Sequence, residues 1–402
     1  MAPKIKALLP HIDIAALQQV AEVSSLVIQQ ARTSMLAPES RKSPPTFNSA
    51  RLAELCGLET TQVQYLAKKG ELPSGEQPGS PRREWTLAEA RTWVRSVKAE
   101  SLRDPSKSAA ATITVANFKG GVSKTTTAAA LAQGLSLQGH RVLVIDTDPQ
   151  GSLTTLFGVL PDTEVEADQT ILALCSGEES SIMPAVRSTY WDGIDLVAAA
   201  PVLFNAEFLL PARQKAEKDF AFWRVLDAGL EEARRTYDVI IIDTPPSLSY
   251  ITINALIAAD GIVMPLPPNA LDFASSTQFW TLFTEVCSQL FRTRGDNKKF
   301  SFVDIVLSRV DRADAVSVDV REWIVAAYGS KVLSIEIPKT SIAATASAGF
   351  GTVYDMDANS AQAKTLKRAR DAYDQLVGHV SMQIAAIYEG DIEASKALER
   401  KG

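Results

Sequence analysis

Lys119 and Lys124 stand in the stretch Asn117-Phe118-Lys119-Gly120-Gly121-Val122-Ser123-Lys124-Thr125-Thr126, between a β-branched run and the Ala-rich AAALAQGLSLQG. A glycine turn that opens a helix presents backbone N–H groups at the positive end of the helix dipole, which makes an anion site. In such a turn Gly120, Gly121, Val122, Ser123, Lys124, Thr125 and Thr126 line a phosphate chain. Lys124 meets the terminal phosphates and the Thr125 hydroxyl is a Mg²⁺ ligand. The standard G-x-x-x-x-G-K-[ST] pattern is not met, because Phe118 and Ser123 occupy its two Gly positions. Asp146 and Asp148 close the run RVLVIDTDPQGS, and Asp243 closes YDVIIIDTPPS. Carboxylates at strand ends gain nothing from packing and make sense beside a cation and a water. Asp243, after three isoleucines, reads as a carboxylate that holds Mg²⁺ through water.

Groups of this kind need a sheet to position them. From residue 111, apolar runs at 112–116, 142–146, 194–198, 239–243, 262–265, 302–307 and 332–337 alternate with helical stretches. That grammar implies an α/β domain, a mostly parallel sheet with helices on both faces. Ligands of such sheets bind beyond the carboxyl ends of the strands, where the three carboxylates and the glycine turn lie.

Residues 46–98 read as a small helical unit. Ser49 is a candidate cap for one helix, Thr60 or Thr61 for a second that ends at Gly70, and Thr86 for a third. Two short helices around a Gly turn fit helix-turn-helix spacing. Thr60, Thr61, Gln62, Gln64, Tyr65 and Lys68 would then face DNA, with Arg82 and Arg83 on phosphates. A packing domain with solvated charges fits the same pattern. Upstream, Leu9, Ile12, Ala16, Val20, Val23 and Val27 recur three and four apart, one stripe of a helix that Pro38, Pro44 and Pro45 end. Its cover is either the next domain or a second copy. Residues 99–110 read as a polar linker. Near the end, Lys364, Lys367, Arg368 and Arg370 make a basic helical stripe, a phosphate contact or a solvated face.

The 402 residues carry 41 Lys+Arg against 47 Asp+Glu, a formal charge of −6, with 46% hydrophobic residues. This is globular composition for about two or three domains. Cys56, Cys175 and Cys287 offer neither a disulfide framework nor a metal pair, which suits a reducing cytoplasm. No apolar run approaches the roughly 18 residues of a membrane span. Net acidity argues against nucleic acid only if charge is evenly spread, and here cations gather at Lys68, Lys69, Arg82, Arg83 and the stripe from Lys364 to Arg370.

The loop K-G-G-x-x-K-[ST] at 119–125, the D-x-D-P-Q segment at 146–150 and the strand ending in Asp243, in that order, resemble the ParA/MinD family of deviant P-loop NTPases over residues 111 to about 385. The resemblance implies that Lys119 reaches the partner subunit's phosphates in a nucleotide-sandwich homodimer. It implies that Asp148 positions the attacking water beside the metal and that Asp146 supports the metal's solvation shell. Arg309 and Asp311 would contact adenine, and Pro338 would lie over the base. Ser123 departs from the family's usual Gly. A long helix and a helix-turn-helix ahead of the ATPase match the large plasmid-partition ParA proteins, which implies a dimerisation helix at 1–37, a DNA-binding domain at 46–98 and an ATPase domain at 111–402. The implied function is plasmid segregation. An ATP-bound dimer coats nonspecific DNA in the nucleoid, a ParB-type centromere-binding partner stimulates hydrolysis to ADP, and the N-terminal domain represses the operon through operator DNA. A nucleotide-sensing transcriptional regulator is the alternative. The polar ending IYEGDIEASKALERKG does not suit a MinD-like membrane cycle.

Overall fold

The computed structural model describes residues 13–36, 42–76, 83–292, 298–311, 314–340, 351–356 and 363–399. Two compact units divide the chain, residues 1–42 and 43–402. In the first, α1 (Ile14–Leu36) carries Val20, Val23 and Val27 on its surface, each more than half exposed. Leu9 and Ile12 of the expected stripe lie outside the described residues.

The second unit opens with three helices, α2 (Ser49–Cys56), α3 (Thr60–Lys69) and α4 (Leu87–Val97), closed around Leu52, Val63, Trp85, Trp93 and Val94. Two caps differ from expectation by one residue. The Asn48 side chain accepts from the Arg51 N–H to start α2, and Glu59 with Gln62 forms a capping box on α3. A polar side chain just ahead of the first turn reaches its unpaired N–H groups, so Ser49 and Thr60 become the first helical residues. Thr86 caps α4 with Glu89, as expected. Strands β1 (Phe47–Asn48) and β2 (Glu84–Trp85) pair antiparallel beside these helices. Two residues are too few to show a period.

Eight strands build the main sheet: β3 (Ala111–Val115), β4 (Val142–Asp146), β5 (Arg187–Ser188), β6 (Ile194–Val197), β7 (Val239–Asp243), β8 (Gly261–Leu266), β9 (Phe302–Val310) and β10 (Val332–Pro338). Their order is β10-β9-β8-β3-β7-β4-β6-β5, and every pairing is parallel except β5 with β6. Alternate side chains feed two cores. Val239 and Ile241 join one with α5 (Lys124–Leu137) and α9 (Ala363–Glu399); Ile240 and Ile242 join the other with α6 (Tyr250–Ala258), α7 (Ala270–Arg292) and α8 (Ala315–Tyr328). Burial on both faces is why these strands read as continuous apolar runs. The expected α/β architecture is present, with β9 extending three residues beyond its expected end at 307.

The helical portion is fastened at the end of the sheet where the strands begin. Buried Arg91 of α4 donates through Nε to the Ser136 carbonyl at 3.0 Å and through Nη2 to the His140 carbonyl at 2.9 Å, and pairs with Asp192. Gly193 has φ 79, and a Cβ there would fall 1.9 Å from the Arg91 guanidinium carbon. Arg95 donates to the Gly139 carbonyl. The stretch read as a polar linker is also anchored. Arg103 is buried, pairs with Asp238 at 3.2 Å and donates to the carbonyls of Ser108, Arg234 and Arg235. Burial alone would raise the Asp238 carboxyl, yet the Arg141 N–H and guanidinium hold it below its ordinary value.

Candidate functional site

The glycine turn follows β3 and leads directly into α5. Gly121 and Ser123 both have φ 75, and Ser123 is the residue that opens the helix. Serine in a left-handed backbone costs about 1–2 kcal/mol, the strain a glycine there would avoid. Asn117, which sequence reasoning passed over, braces the turn from below. Its Nδ2 donates to the Pro265 carbonyl at 2.9 Å and its Oδ1 accepts from the Lys119 N–H at 3.1 Å. Lys124 is buried and donates to the Lys119 carbonyl at 2.9 Å, while Lys119 is exposed. Burial pushes the Lys124 ammonium below its ordinary value, opposed by the charges of Asp243 and Asp148.

Sheet register brings the carboxylates to this turn. Asp243 pairs with Val115 on one side and with Asp146 on the other, so the ends of β3, β7 and β4 lie in one row. Asp146 and Asp243 are both fully buried. Their surroundings differ. Asp146 Oδ2 accepts from the Thr154 N–H and hydroxyl, each at 2.8 Å, and its Oδ1 accepts from the Asp148 N–H at 3.1 Å. Burial pushes this carboxyl up to about 7, against those donors. Such bonding makes Asp146 a residue that orients the Asp148 segment; the expected part in a metal's solvation shell has to share oxygens already bonded to Thr154 and Asp148. Thr154 is a second residue the sequence did not reveal, and its Oγ1 also accepts from the Ala199 N–H. Asp148 is half-buried, with Oδ1 accepting from the Gln150 N–H at 3.0 Å.

Among the described residues, neither buried oxygen of Asp243 has a well-formed hydrogen bond, and the Thr125 hydroxyl is its near neighbour. Burial raises its carboxyl well above the ordinary value, helped by the charge of Asp146 and opposed by the nearby Thr125 hydroxyl and Lys124. A buried carboxylate with two open oxygens, next to a hydroxyl, is a donor set that fits a hydrated divalent cation. Among the described residues no group of three His, Cys, Asp or Glu side chains forms a cage. Thr125 and Asp243 would hold a cation here with water and a phosphate ligand completing the set, which suits Mg²⁺.

The end of β9 also meets the loop. Ser308 Oγ donates to the Val122 carbonyl at 3.0 Å and Arg309 Nη1 to the Gly121 carbonyl at 2.6 Å. Arg309 is thus bonded to the phosphate loop itself. Asp311 pairs with Lys339 at 3.6 Å, and Pro338 sits in register with Val310, so these three expected residues share the same edge.

Of the expected DNA-facing residues, Thr61, Gln62, Gln64, Tyr65 and Lys68 are exposed on α3, Thr60 is half-buried, and Val63 and Ala67 point into the core. The Gln62 amide is taken up by its cap, bonded to the Glu59 N–H at 2.8 Å. Arg83 donates to the Ser74 carbonyl at 2.7 Å and is half-buried, which ties it to its own loop; Arg82 lies outside the described residues. The basic stripe on α9 divides. Lys364, Lys367 and Arg368 are exposed, whereas Arg370 turns inward, donating to the Val353 and Met356 carbonyls at 2.9 and 3.0 Å. Residue 370 lies on the flank of the face that carries Leu366, Ala369 and Tyr373 into the core, so its inclusion in an outward stripe is corrected.

A family model described as an AAA domain matches residues 110–294. The chain is 32% identical to the chromosome partitioning protein ParA of Caulobacter vibrioides over 265 residues, 64% of this chain and 92% of that one. The chain belongs to the ParA family of partition ATPases. It is also 29% identical to the putative replication protein A of Rhizobium rhizogenes, over 89% of this chain and 91% of that one. A solved partition protein shares the fold across 93% of this chain and 99% of its own, with TM-score 0.65 at 20% identity. A cobyrinic acid a,c-diamide synthase of Mycobacterium smegmatis, solved with ADP and magnesium, is 28% identical with TM-score 0.51, over 67% of this chain and 93% of that one. No described helix is long and apolar enough to cross a membrane.

Proposed function

We propose that this ParA family member is a Mg²⁺-dependent partition ATPase that binds ATP in the turn 119–126, closes into a homodimer on nonspecific DNA, and is released when a ParB-type partner stimulates hydrolysis. The observation that carries the reading is the row made by Lys124 and Thr125 with Asp243, a fully buried carboxylate whose near neighbours among the described residues are that hydroxyl and that ammonium. Bound Mg²⁺ supplies charge neutralisation at the β- and γ-phosphates. The chain's own groups do the rest. Lys124 exchanges the Lys119 carbonyl for terminal phosphate oxygens, Lys119 extends to the partner subunit's phosphates, and Asp148 orients the attacking water. Lys119→Ala and Lys124→Ala proteins are expected to lose at least about 100-fold in phosphate release, the scale of removing a positioned charge stabiliser.

The face of α3 bearing Thr61, Gln64, Tyr65 and Lys68 supports a further role of the helical portion as an operator-binding repressor. The stripe of Lys364, Lys367 and Arg368 supports nonspecific DNA contact, and the exposed valines of α1 support a dimerisation arm. Turnover with and without nonspecific DNA and the ParB-type partner tests this assignment. Operator binding with no stimulated turnover would move the protein to the nucleotide-sensing regulator.

A further inference from the structure

Two consecutive carbonyls of the phosphate loop are held from outside by two consecutive residues of another strand. Ser308 Oγ holds the Val122 oxygen at 3.0 Å and Arg309 Nη1 holds the Gly121 oxygen at 2.6 Å. In a trans peptide the C=O and N–H point in opposite directions. Drawing the Gly121 and Val122 oxygens toward the end of β9 therefore aims the N–H groups of Val122 and Ser123 the other way. Gly121 and Ser123, both at φ 75, alternate with Val122, which has no such backbone. Left-handed residues alternating with ordinary ones curl successive N–H groups into a concavity for an anion.

The grip has its own structural cost. Ser308 is fully buried, and Arg309 has φ 53, a backbone that a long side chain seldom adopts. The extra residues of β9, which runs to Val310, carry both side chains past the sheet edge to the loop.

Building on the nucleotide reading of this loop, we propose that Ser308 and Arg309 are positioning residues that pin it in its phosphate-binding shape, and that their effect is on the phosphate chain of the ligand rather than on its base. Inorganic tripolyphosphate, which has neither base nor ribose, separates the two roles.

Calorimetric titration of the full-length protein with ATP and with tripolyphosphate is the test. Ser308→Ala is expected to weaken both ligands by the same factor, about tenfold, the size of one well-directed hydrogen bond. Arg309→Lys keeps the charge but not the planar fork and is expected to weaken both ligands in parallel; it also keeps the test alive should Ser308→Ala fail to fold. Tripolyphosphate binding at the wild-type level in either folded variant, or a loss confined to ATP, would overturn the pin. A wild-type protein that binds neither ligand would instead overturn the nucleotide reading on which it rests.

Discussion

Asp243 is the residue whose position makes least sense for stability alone. Among the described residues its buried oxygens have no well-formed hydrogen bond, so Asp243→Asn is expected to stabilise the protein without nucleotide by about 1–2 kcal/mol while lowering ATP turnover at least about 100-fold. Thermal melts beside phosphate release check both signs. Ser123→Gly removes a left-handed serine and is expected to gain about 0.5–1 kcal/mol after the glycine's own entropy cost, read from the urea midpoint. His140 gives a pH signature. Burial pushes its imidazole down to about 4, Asp238 opposing and Arg95, Arg91 and Lys98 assisting. Between that value and about 6.5 the unfolded chain binds the proton and the folded chain does not, so stability is full above about 6.5 and falls by about 2–3 kcal/mol as pH drops through this window. Denaturant titrations at pH 7 and pH 4.5 should show that loss in the wild type and a smaller one in His140→Gln. Lys119, Lys124, Asp148 and Asp243 were legible in the sequence because charged groups at strand ends are conspicuous against apolar runs. Asn117, Thr154 and Ser308 were not, because an amide or hydroxyl takes its role from tertiary neighbours.

Among the elements, α5 and β7 join the nucleotide end of the domain to the helical portion. Helix α5 begins at Lys124, and its last turn offers the Ser136 carbonyl to Arg91. Strand β7 ends at Asp243 and is preceded by Asp238, which meets Arg95, Arg103 and Arg141. Arg91→Ala removes the ion pair with Asp192 and the bonds to the Ser136 and His140 carbonyls, and is expected to cost about 3 kcal/mol and to expose residues 46–98 to limited proteolysis. Cleavage at the wild-type rate would contradict the latch. Helices α2 to α4 and most of the strands were readable from period and caps. Arg91 and Arg103 were not, since an arginine in a polar stretch looks the same whether it faces water or a buried carboxylate. The same ambiguity put Arg370 in the exposed stripe.

For the whole molecule, an acidic chain can still work on DNA if its cations are grouped and used only in one assembly state. Lys364, Lys367 and Arg368 stay exposed while Arg370 serves the core, so one chain offers a small cationic patch, and in the proposed dimer two such patches would multiply weak attractions. The central claim is that the state of ATP at Lys124 and Asp148 decides whether that dimer persists on DNA. The most direct measurement follows phosphate release and retention on nonspecific DNA by Asp148→Ala with ATP and Mg²⁺. The account predicts a DNA-bound dimer that releases no phosphate, and release at the wild-type rate would contradict it.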